Sequence, residues 1–275
     1  MSTINCKGKL IDLSQPKVMG ILNLTPDSFY DGGKHTSEQT ILEKVEKMLL
    51  DGATFIDIGG YSSRPGATHI TEEEELNRVL QGINLVLKHF PDTLISVDTF
   101  RSSVARQAIE SGAALVNDIS AGNLDHQMFR TVADLQVPYI MMHMPGTPQT
   151  MQKLTHYEDI IQEIILYFSK KIVELRELHL NDLIIDVGFG FGKTSEQNFL
   201  LLKNLSVFKI IGVPILAGIS RKSMLYKTLG IDVGEALNAT TVANTLALVN
   251  GAGILRVHDV KEAVEAIKIF QKYHA

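Results

Sequence analysis

Residues 94–98, Leu-Ile-Ser-Val-Asp, show the pattern that decides the fold, a short apolar run that stops on a polar or charged residue. The pattern recurs along the chain, at 18–23, 55–57, 114–118, 139–143, 183–186, 214–222 and 254–258. Such runs suit strands buried on both faces, as in a parallel sheet. Functional groups at the carboxyl ends of these strands are typical of a (β/α)₈ TIM barrel, which builds one active site from separated segments. The pattern therefore predicts an α/β enzyme with this fold.

Segments of helical periodicity separate the apolar runs, most clearly at 38–50, 72–90 and 157–178. The alternation favours a closed barrel over an open doubly wound sheet, because polar residues follow nearly every strand instead of gathering at one switch point. The length of 275 residues and the lack of a linker predict a single domain, 1–275. Residues 1–16 precede the first strand and are expected to close the bottom of the barrel.

Composition and charge narrow the class of protein. A net charge of −5 argues against a nucleic-acid surface. The apolar runs are too short for a membrane span and the first residues are too polar for a signal peptide, so we expect a cytoplasmic enzyme. The one cysteine, Cys6, excludes an internal disulfide and a cysteine-based zinc site. The acidic run Glu72–Glu75 follows Thr71, a good N-cap, and is interpreted as a solvated helix start.

Two connections, 23–33 and 59–66, combine turn residues with charged, hydroxyl and aromatic groups, which predicts active-site loops. The glycine-rich segment 186–194 fits neither a Walker A loop nor a dinucleotide fingerprint, because Val187 and Lys193 stand where those motifs need glycine. We interpret it as close backbone approach to a ligand, with Phe189 or Phe191 as an apolar wall.

Carboxylates and amides end several of the predicted strands. Any one of them could equally cap a helix or bind a loop amide. Together at one barrel mouth they could bind a planar heterocycle with N–H donors, since ionised carboxylates only accept hydrogen bonds. These residues are Asp57, Asp98, Asn117, Asp118 and Asp186.

Cationic residues follow the last two strands. Lys222 stands at a helix start, where free amide groups favour an anion. Arg256 and His258 alternate across the next strand end, in the usual phosphate region of a barrel. Asn23 alone is a poor metal ligand, but beside a substrate diphosphate one amide oxygen suffices, because Mg²⁺ keeps most of its waters.

Taken in order, the motifs resemble those of dihydropteroate synthase over essentially the whole chain. They are Asn-Leu-Thr-Pro-Asp-Ser-Phe at 23–29, Ser-Ser-Arg-Pro-Gly at 62–66, Ser-Val-Asp-Thr at 96–99, Asn-Asp-Ile-Ser at 117–120, Met-His-Met at 142–144, the segment 186–193, Ser-Arg-Lys at 220–222 and Arg-Val-His-Asp-Val at 256–260. Tyr61, Ser63 and Val187 depart from the residues that many members carry, which leaves fine loop geometry and sulfonamide sensitivity open.

The resemblance implies a transferase of folate biosynthesis that joins (7,8-dihydropterin-6-yl)methyl diphosphate to 4-aminobenzoate, with Mg²⁺ as cofactor and a homodimer as assembly. It implies pterin binding by Asp98, Asn117, Met141, Asp186 and Lys222, and diphosphate binding by Arg256 and His258, with Asn23 on the metal. It places Ser63, Arg64, Pro65, Phe191 and Ser223 around the aminobenzoate. Asp31, Arg64, Asp98, Lys222, Arg256 and His258 would be catalytic.

Three other functions stay open from the sequence. A methyltetrahydrofolate methyltransferase domain shares the barrel but needs no diphosphate-binding site, so Arg256 and His258 argue against it. An aldolase-class lyase would form a Schiff base on Lys222. A non-catalytic pterin-binding protein would leave the two polar loops without a role.

Overall fold

The computed structural model describes residues 3–24, 34–62 and 70–275, with only the backbone of 34–37. Within this part of the chain, eight parallel strands close into a barrel, and two further strands form a separate hairpin. The predicted TIM barrel is confirmed. The strands are β1 Thr3–Cys6, β2 Lys9–Asp12, β3 Lys17–Asn23, β4 Phe55–Gly59, β5 Leu94–Asp98, β6 Leu115–Asp118, β7 Tyr139–Met142, β8 Leu183–Asp186, β9 Ile215–Ala217 and β10 Ile254–Val257. The barrel order is β10-β3-β4-β5-β6-β7-β8-β9, and β1 and β2 form the hairpin.

Helices follow the barrel strands and form the outer layer. Those that the structure describes are α1 Lys34–Leu50, α2 Glu72–His89, α3 Ser102–Glu110, α4 Met128–Leu135, α5 Ile160–Glu177, α6 Ser195–Lys203, α7 Ser223–Leu229, α8 Leu237–Val249 and α9 Val260–His274, with 3₁₀ turns at Met151–Lys153, Leu205–Ile211 and Val233–Glu235. Side-chain caps fix several helix starts. Thr194 and Gln197 form a capping box on α6, and Asp159 accepts two backbone N–H groups of α5. No helix of the described residues is both long and apolar enough to cross a membrane.

Alternation along each strand divides the core into two layers. Outward residues such as Val18, Ile56 and Ile95 pack against the helices. Inward residues such as Phe55 and Ile184 fill the lower barrel and pack against Ile4, Cys6, Ile11 and Leu13 of the hairpin segment. Burial raises the pKa of Cys6 to about 12, so this thiol stays protonated and inert. Apolar side chains thus fill the lower barrel, and the polar side chains lie at its carboxyl-terminal mouth.

The acidic run at the start of α2 corrects one expectation. Thr71 caps the helix by accepting from the Glu74 backbone N–H, and Glu72 to Glu74 are exposed as predicted. Glu75 is fully buried, so its assignment to a solvated helix start is wrong. It lies on the inner helix face with Val79, where Thr99 Oγ1 donates to Oε1 at 2.6 Å and Arg101 Nη1 donates to Oε2 at 2.5 Å. Burial raises the pKa of Glu75, while Thr99 and Arg101 oppose that rise.

Candidate active site

Arg256 is the centre of a buried ion-pair group at the barrel mouth. Its Nε donates to Oδ2 of Asp57 at 2.6 Å and its Nη2 donates to Oδ2 of Asp98 at 2.6 Å. Asn117 Nδ2 also donates to Oδ2 of Asp57, at 3.1 Å. The barrel register brings the acceptors close to one another, because Asp57 of β4 pairs with Ser96, two residues before Asp98, and Asp98 pairs with Asn117. Residues far apart in sequence thus hold one guanidinium in a fixed orientation.

The charges of this group are strongly coupled. Burial disfavours the Arg256 cation, but Asp57 and Asp98 more than offset this, so the pKa of Arg256 is raised and the guanidinium stays charged. Burial raises the pKa of Asp98 to about 7; Arg256 opposes the rise, whereas Asp57 adds to it. Among the described residues, Oδ1 of Asp57 and Oγ of Ser96 are buried without a hydrogen-bond partner. Such orphaned polar atoms in the barrel interior suit contact with a polar ligand or water.

Asp186 and Lys222 form the opposite side of the mouth. Oδ1 of Asp186 accepts from the Gly188 N–H at 2.8 Å. Lys222 Nζ donates to the Phe189 carbonyl and stands 4.7 Å from the centroid of the Phe191 ring. Burial raises the pKa of Asp186, and the nearby Lys222 ammonium opposes the rise. Burial lowers the pKa of Lys222 to about 8, which Asp186 opposes. Each charge therefore stabilises the other's ionised form.

The turn after β8 requires glycine at two positions, because its backbone has positive φ there and lies close to neighbouring atoms. Gly188 has a φ of +73°, and a Cβ there would lie 2.0 Å from the His143 carbonyl oxygen. Gly190 has a φ of +81°, and its Cβ would meet Cδ of Lys222 at 3.3 Å. Only glycine combines this backbone conformation with this lack of space. The turn thus brings main-chain carbonyls against lysine ammonium groups.

The last two barrel strands place basic residues beside one another. Nδ1 of His258 lies 3.0 Å from Oγ of Ser220, which also accepts from the His258 N–H at 3.2 Å. His258 is exposed at the mouth. The neighbouring Arg221 has a different role, because its guanidinium forms a bidentate pair with Asp259 at 2.8 and 2.9 Å and donates to carbonyls near α8. Ser220 therefore orients His258, while Arg221 connects the segment after β9 to Asp259 and to the turn before α8.

Similarity to known proteins extends over nearly the whole chain. Residues 19–258 match the family described as pterin binding enzyme. A dihydropteroate synthase from Haemophilus influenzae is 43% identical over 265 residues, which span 96% of each sequence. The chain belongs to the dihydropteroate synthase family. A Yersinia pestis dihydropteroate synthase in complex with a sulfonamide drug superposes with a TM-score of 0.92 at 39% identity, covering 99% of both chains. A Xanthomonas albilineans dihydropteroate synthase with 4-aminobenzoic acid gives 0.91 at 38% identity, covering 100% of this chain and 98% of the other.

The structure brings most of the residues expected for a dihydropteroate synthase to one mouth. Those placed there are Asp98, Asn117, Asp186, Phe191, Lys222, Ser223, Arg256 and His258. Asn23 joins them at the end of β3, since its Oδ1 and Oδ2 of Asp98 both lie 3.6 Å from the position a Cβ on Gly59 would take. The expected Asp31, Ser63, Arg64 and Pro65 lie outside the described residues, as do parts of both predicted loops.

Three expectations about mouth residues are resolved differently. Met141 is fully buried in the layer between strands and helices, so its expected contact with substrate is wrong. Alternation points Met142 inward instead, and it packs near Phe191 at the mouth. Phe189 is likewise a core residue, which leaves Phe191 as the wall. Asp118 has a structural role, because it accepts from Ser120, Gly122 and Tyr139.

Sequence reasoning missed the roles of two residues, Asp57 and Lys193. Asp57 was only one of several strand-end carboxylates, and nothing local showed that it holds Arg256. In the sequence Lys193 only breaks a nucleotide-binding motif, whereas in the structure it is buried beside His143. The sequence signal for Asp57 is its place at the end of a strand, which predicts a position at the mouth and leaves its partner Arg256 undetermined. No sequence signal pointed to the Lys193 contact, which joins two separate loops.

Proposed function

We propose that this chain condenses (7,8-dihydropterin-6-yl)methyl diphosphate with 4-aminobenzoate, releasing diphosphate and forming 7,8-dihydropteroate in folate biosynthesis. The observation that carries the proposal is the Arg256 guanidinium held by both Asp57 and Asp98, facing the Asp186–Lys222 side of the same mouth. Acceptors for a pterin and cations for a diphosphate are thereby present at one site.

The pterin is assigned to the interior of the mouth. Oδ1 of Asp186 accepts from the Gly188 N–H, so Oδ2 remains to accept from the amino and ring N–H edge of the pterin. Lys222 donates to a ring acceptor, and Asn117 offers an amide on the adjacent wall. A planar ring in this position stacks on the guanidinium plane of Arg256, whose orientation the two carboxylates fix.

The diphosphate is assigned to the outer rim at the ends of β9 and β10. His258 is exposed there, oriented by Ser220, and Arg256 extends from the strand just below it. Barrel enzymes commonly bind phosphate beside their last two strands. Because its carboxylate partners occupy Nε and Nη2, Arg256 keeps Nη1 as the donor available to an anion.

The reaction follows from this placement. The electron-rich dihydropterin expels diphosphate by breaking the bond between its methylene carbon and oxygen, and the bond electrons leave with the anion. Arg256 and His258 stabilise that anion, while Asp98 offers negative charge to the pterin cation. The aminobenzoate nitrogen then bonds to the methylene carbon and loses a proton to solvent. Lys222 remains a donor throughout, because its Nζ already binds the Phe189 carbonyl, which argues against a Schiff base.

Mg²⁺ is the proposed cofactor, carried on the diphosphate. The described residues contain no group of three His, Cys, Asp or Glu side chains that could hold a metal by themselves. One amide oxygen, that of Asn23, stands at the mouth beside Asp98, which fits a cation bound mainly by substrate oxygens and water. Bound there, the ion would neutralise charge on the leaving diphosphate. Asp31 and Arg64 belong to this proposal through the family resemblance.

Assembly and inhibitor binding extend the proposal. Exposed apolar residues line α8 at helical spacing, Val242, Leu246 and Val249, and Leu229 ends the neighbouring α7. A stripe of this kind supports a homodimer through these helices.

The chain acts in the cytoplasm, with no nucleic-acid or membrane partner. Sulfonamides compete with 4-aminobenzoate for its binding site.

Diphosphate release tests the function directly. Purified protein is mixed with the pterin diphosphate, with and without 4-aminobenzoate, and both diphosphate and 7,8-dihydropteroate are measured with Mg²⁺ or with a chelator. Stoichiometric release that needs both substrates supports the synthase. Binding of the pterin without turnover would indicate a pterin-binding protein, and a borohydride-trapped adduct on Lys222 with a carbonyl substrate would indicate the aldolase-class alternative.

A further inference from the structure

Lys193 is a buried lysine that the proposed reaction does not use, and burial lowers the pKa of its amino group to about 7, while the nearby Asp186 carboxylate opposes that shift. Its side chain is only 5% exposed, and it ends the turn that begins at Asp186. Burial of an ammonium is costly unless acceptors replace its water. The groups that accept hydrogen bonds from Lys193 therefore indicate its role.

Lys193 contacts two main-chain carbonyls and one side chain of a neighbouring loop. Nζ donates to the Phe191 carbonyl at 2.8 Å and to the His143 carbonyl at 3.3 Å, and lies 3.1 Å from Nδ1 of His143. Burial lowers the pKa of His143, so its ring is neutral and Nδ1 can accept. Lys193 thus ties the turn after β8 to the loop after β7.

Phe191 is held from two sides as a result. Lys222 approaches from the pocket, donating to the Phe189 carbonyl and facing the Phe191 ring at 4.7 Å. Lys193 approaches from behind through the Phe191 carbonyl. The turn between them also receives support from Gln152, which donates to the Gly190 carbonyl at 3.3 Å, and Tyr157, which donates to the Gly192 carbonyl at 3.0 Å. Lys193 is the titratable member of this group of supporting side chains.

We propose that Lys193 is a positioning residue that fixes the Phe191 wall and thereby sets affinity for 4-aminobenzoate and its ring analogues, without contacting either substrate. The proposal rests on the proposed function, in which Phe191 faces the aminobenzoate. The pterin contacts stand mainly on Asp186, Lys222 and the Arg256 group, whose hydrogen bonds do not include Lys193.

The first experiment replaces Lys193 by methionine, which has nearly the same shape and no donors. Both carbonyls then lose the lysine as their hydrogen-bond donor, which is costly for buried acceptors. We expect KM for 4-aminobenzoate to rise about tenfold, the range for one lost hydrogen bond to a buried acceptor. We expect KM for the pterin diphosphate to change less than about twofold, because Lys193 donates no hydrogen bond to Asp186 and, among the groups that shift the pKa of that carboxyl, has the smallest influence. Lys203→Met, on the exposed end of α6, is the matched control and changes neither constant.

A double-mutant cycle separates this role from general support of the fold. Phe191→Ala is made alone and with Lys193→Met, and KM for 4-aminobenzoate is measured for all four proteins. If Lys193 acts through Phe191, its substitution adds little once the ring is gone. Fully multiplicative effects would overturn the proposal. Lys193→Gln, which keeps an N–H donor, is expected to restore part of the affinity and carries the test if the methionine variant does not fold.

Other outcomes are equally decisive. Equal rises in both KM values, or a lower melting temperature with both KM values unchanged, would reduce Lys193 to a structural residue. An unchanged KM in Phe191→Ala would instead refute the assignment of Phe191 to the aminobenzoate, which is part of the proposed function. Absence of turnover in the unmodified protein would refute the function itself, so the failures are distinguishable.

Discussion

Replacing Asp57 by asparagine tests whether its ion pair with Arg256 organises the mouth. Asp57 is fully buried and the Arg256 side chain is 20% exposed, so solvent screens this pair weakly. At 2.6 Å the attraction of two unit charges is about 6 kcal/mol at an effective dielectric constant of about 20. Desolvation and repulsion between Asp57 and Asp98 offset part of it. Breaking one partner of a buried pair typically costs about 3–5 kcal/mol.

Two features of the site lower that figure for asparagine. The amide oxygen can still accept from Arg256 Nε, and Asp98 still pairs with Nη2. We therefore expect a loss of about 2–4 kcal/mol in the free energy of unfolding, measured by urea denaturation. The less constrained guanidinium should lower kcat/KM for the pterin diphosphate by about ten- to a hundredfold. Asp134→Asn, in the exposed pair with Arg106, is the control and should change neither quantity.

The same substitution has a signature in the pH profile. Asp57 contributes to the raised pKa of Asp98, so its neutralisation should lower the pKa of Asp98 from about 7. The acid limb of kcat/KM should then move to lower pH. A folded Asp57→Asn protein with unchanged stability, unchanged kcat/KM and an unmoved limb would refute the view that this carboxylate holds Arg256.

Three further predictions concern single groups of the mouth. Asp186→Asn should weaken pterin binding by about 2–4 kcal/mol in calorimetry, because an amide has one acceptor oxygen and cannot accept from both the Gly188 N–H and the pterin edge; undiminished affinity in a folded variant would remove Asp186 as anchor. His258→Ala should weaken binding of the pterin diphosphate roughly tenfold while sparing a pterin without phosphates, and equal losses for both ligands would take His258 out of the anion site. Lys222 has its pKa lowered to about 8, so its cation is present below that pH and is lost above it; kcat/KM should fall as pH rises through about 8. Lys222→Arg should abolish that limb, and a limb that persists in the variant belongs to another group.

The repeated strand pattern carries enough information to predict the barrel. Each run is apolar on both faces because parallel strands are covered on both sides, and each ends on a polar residue because only the mouth admits polar ligands. Asp98, Asp186 and Arg256 were identified on that basis and through the family motifs. These features are local in sequence, so they can be read without the fold.

Side-chain direction and pairing could not be read in this way. Met141 and Met142 are adjacent and chemically identical, and only the register of β7 decides which one faces the mouth. Glu75 follows three exposed glutamates, yet helix phase turns it inward to Thr99 and Arg101.

The sequence by itself determined the fold class, the family and the chemistry of the strand ends, because these depend on periodicity and residue type within short segments. Only the tertiary structure decided that Asp57 holds Arg256 across 199 positions of the chain, and that Lys193 reaches back across 50 positions to His143. Such contacts depend on barrel closure, which brings distant strand ends within hydrogen-bonding distance. No local pattern encodes which of the converging groups will meet.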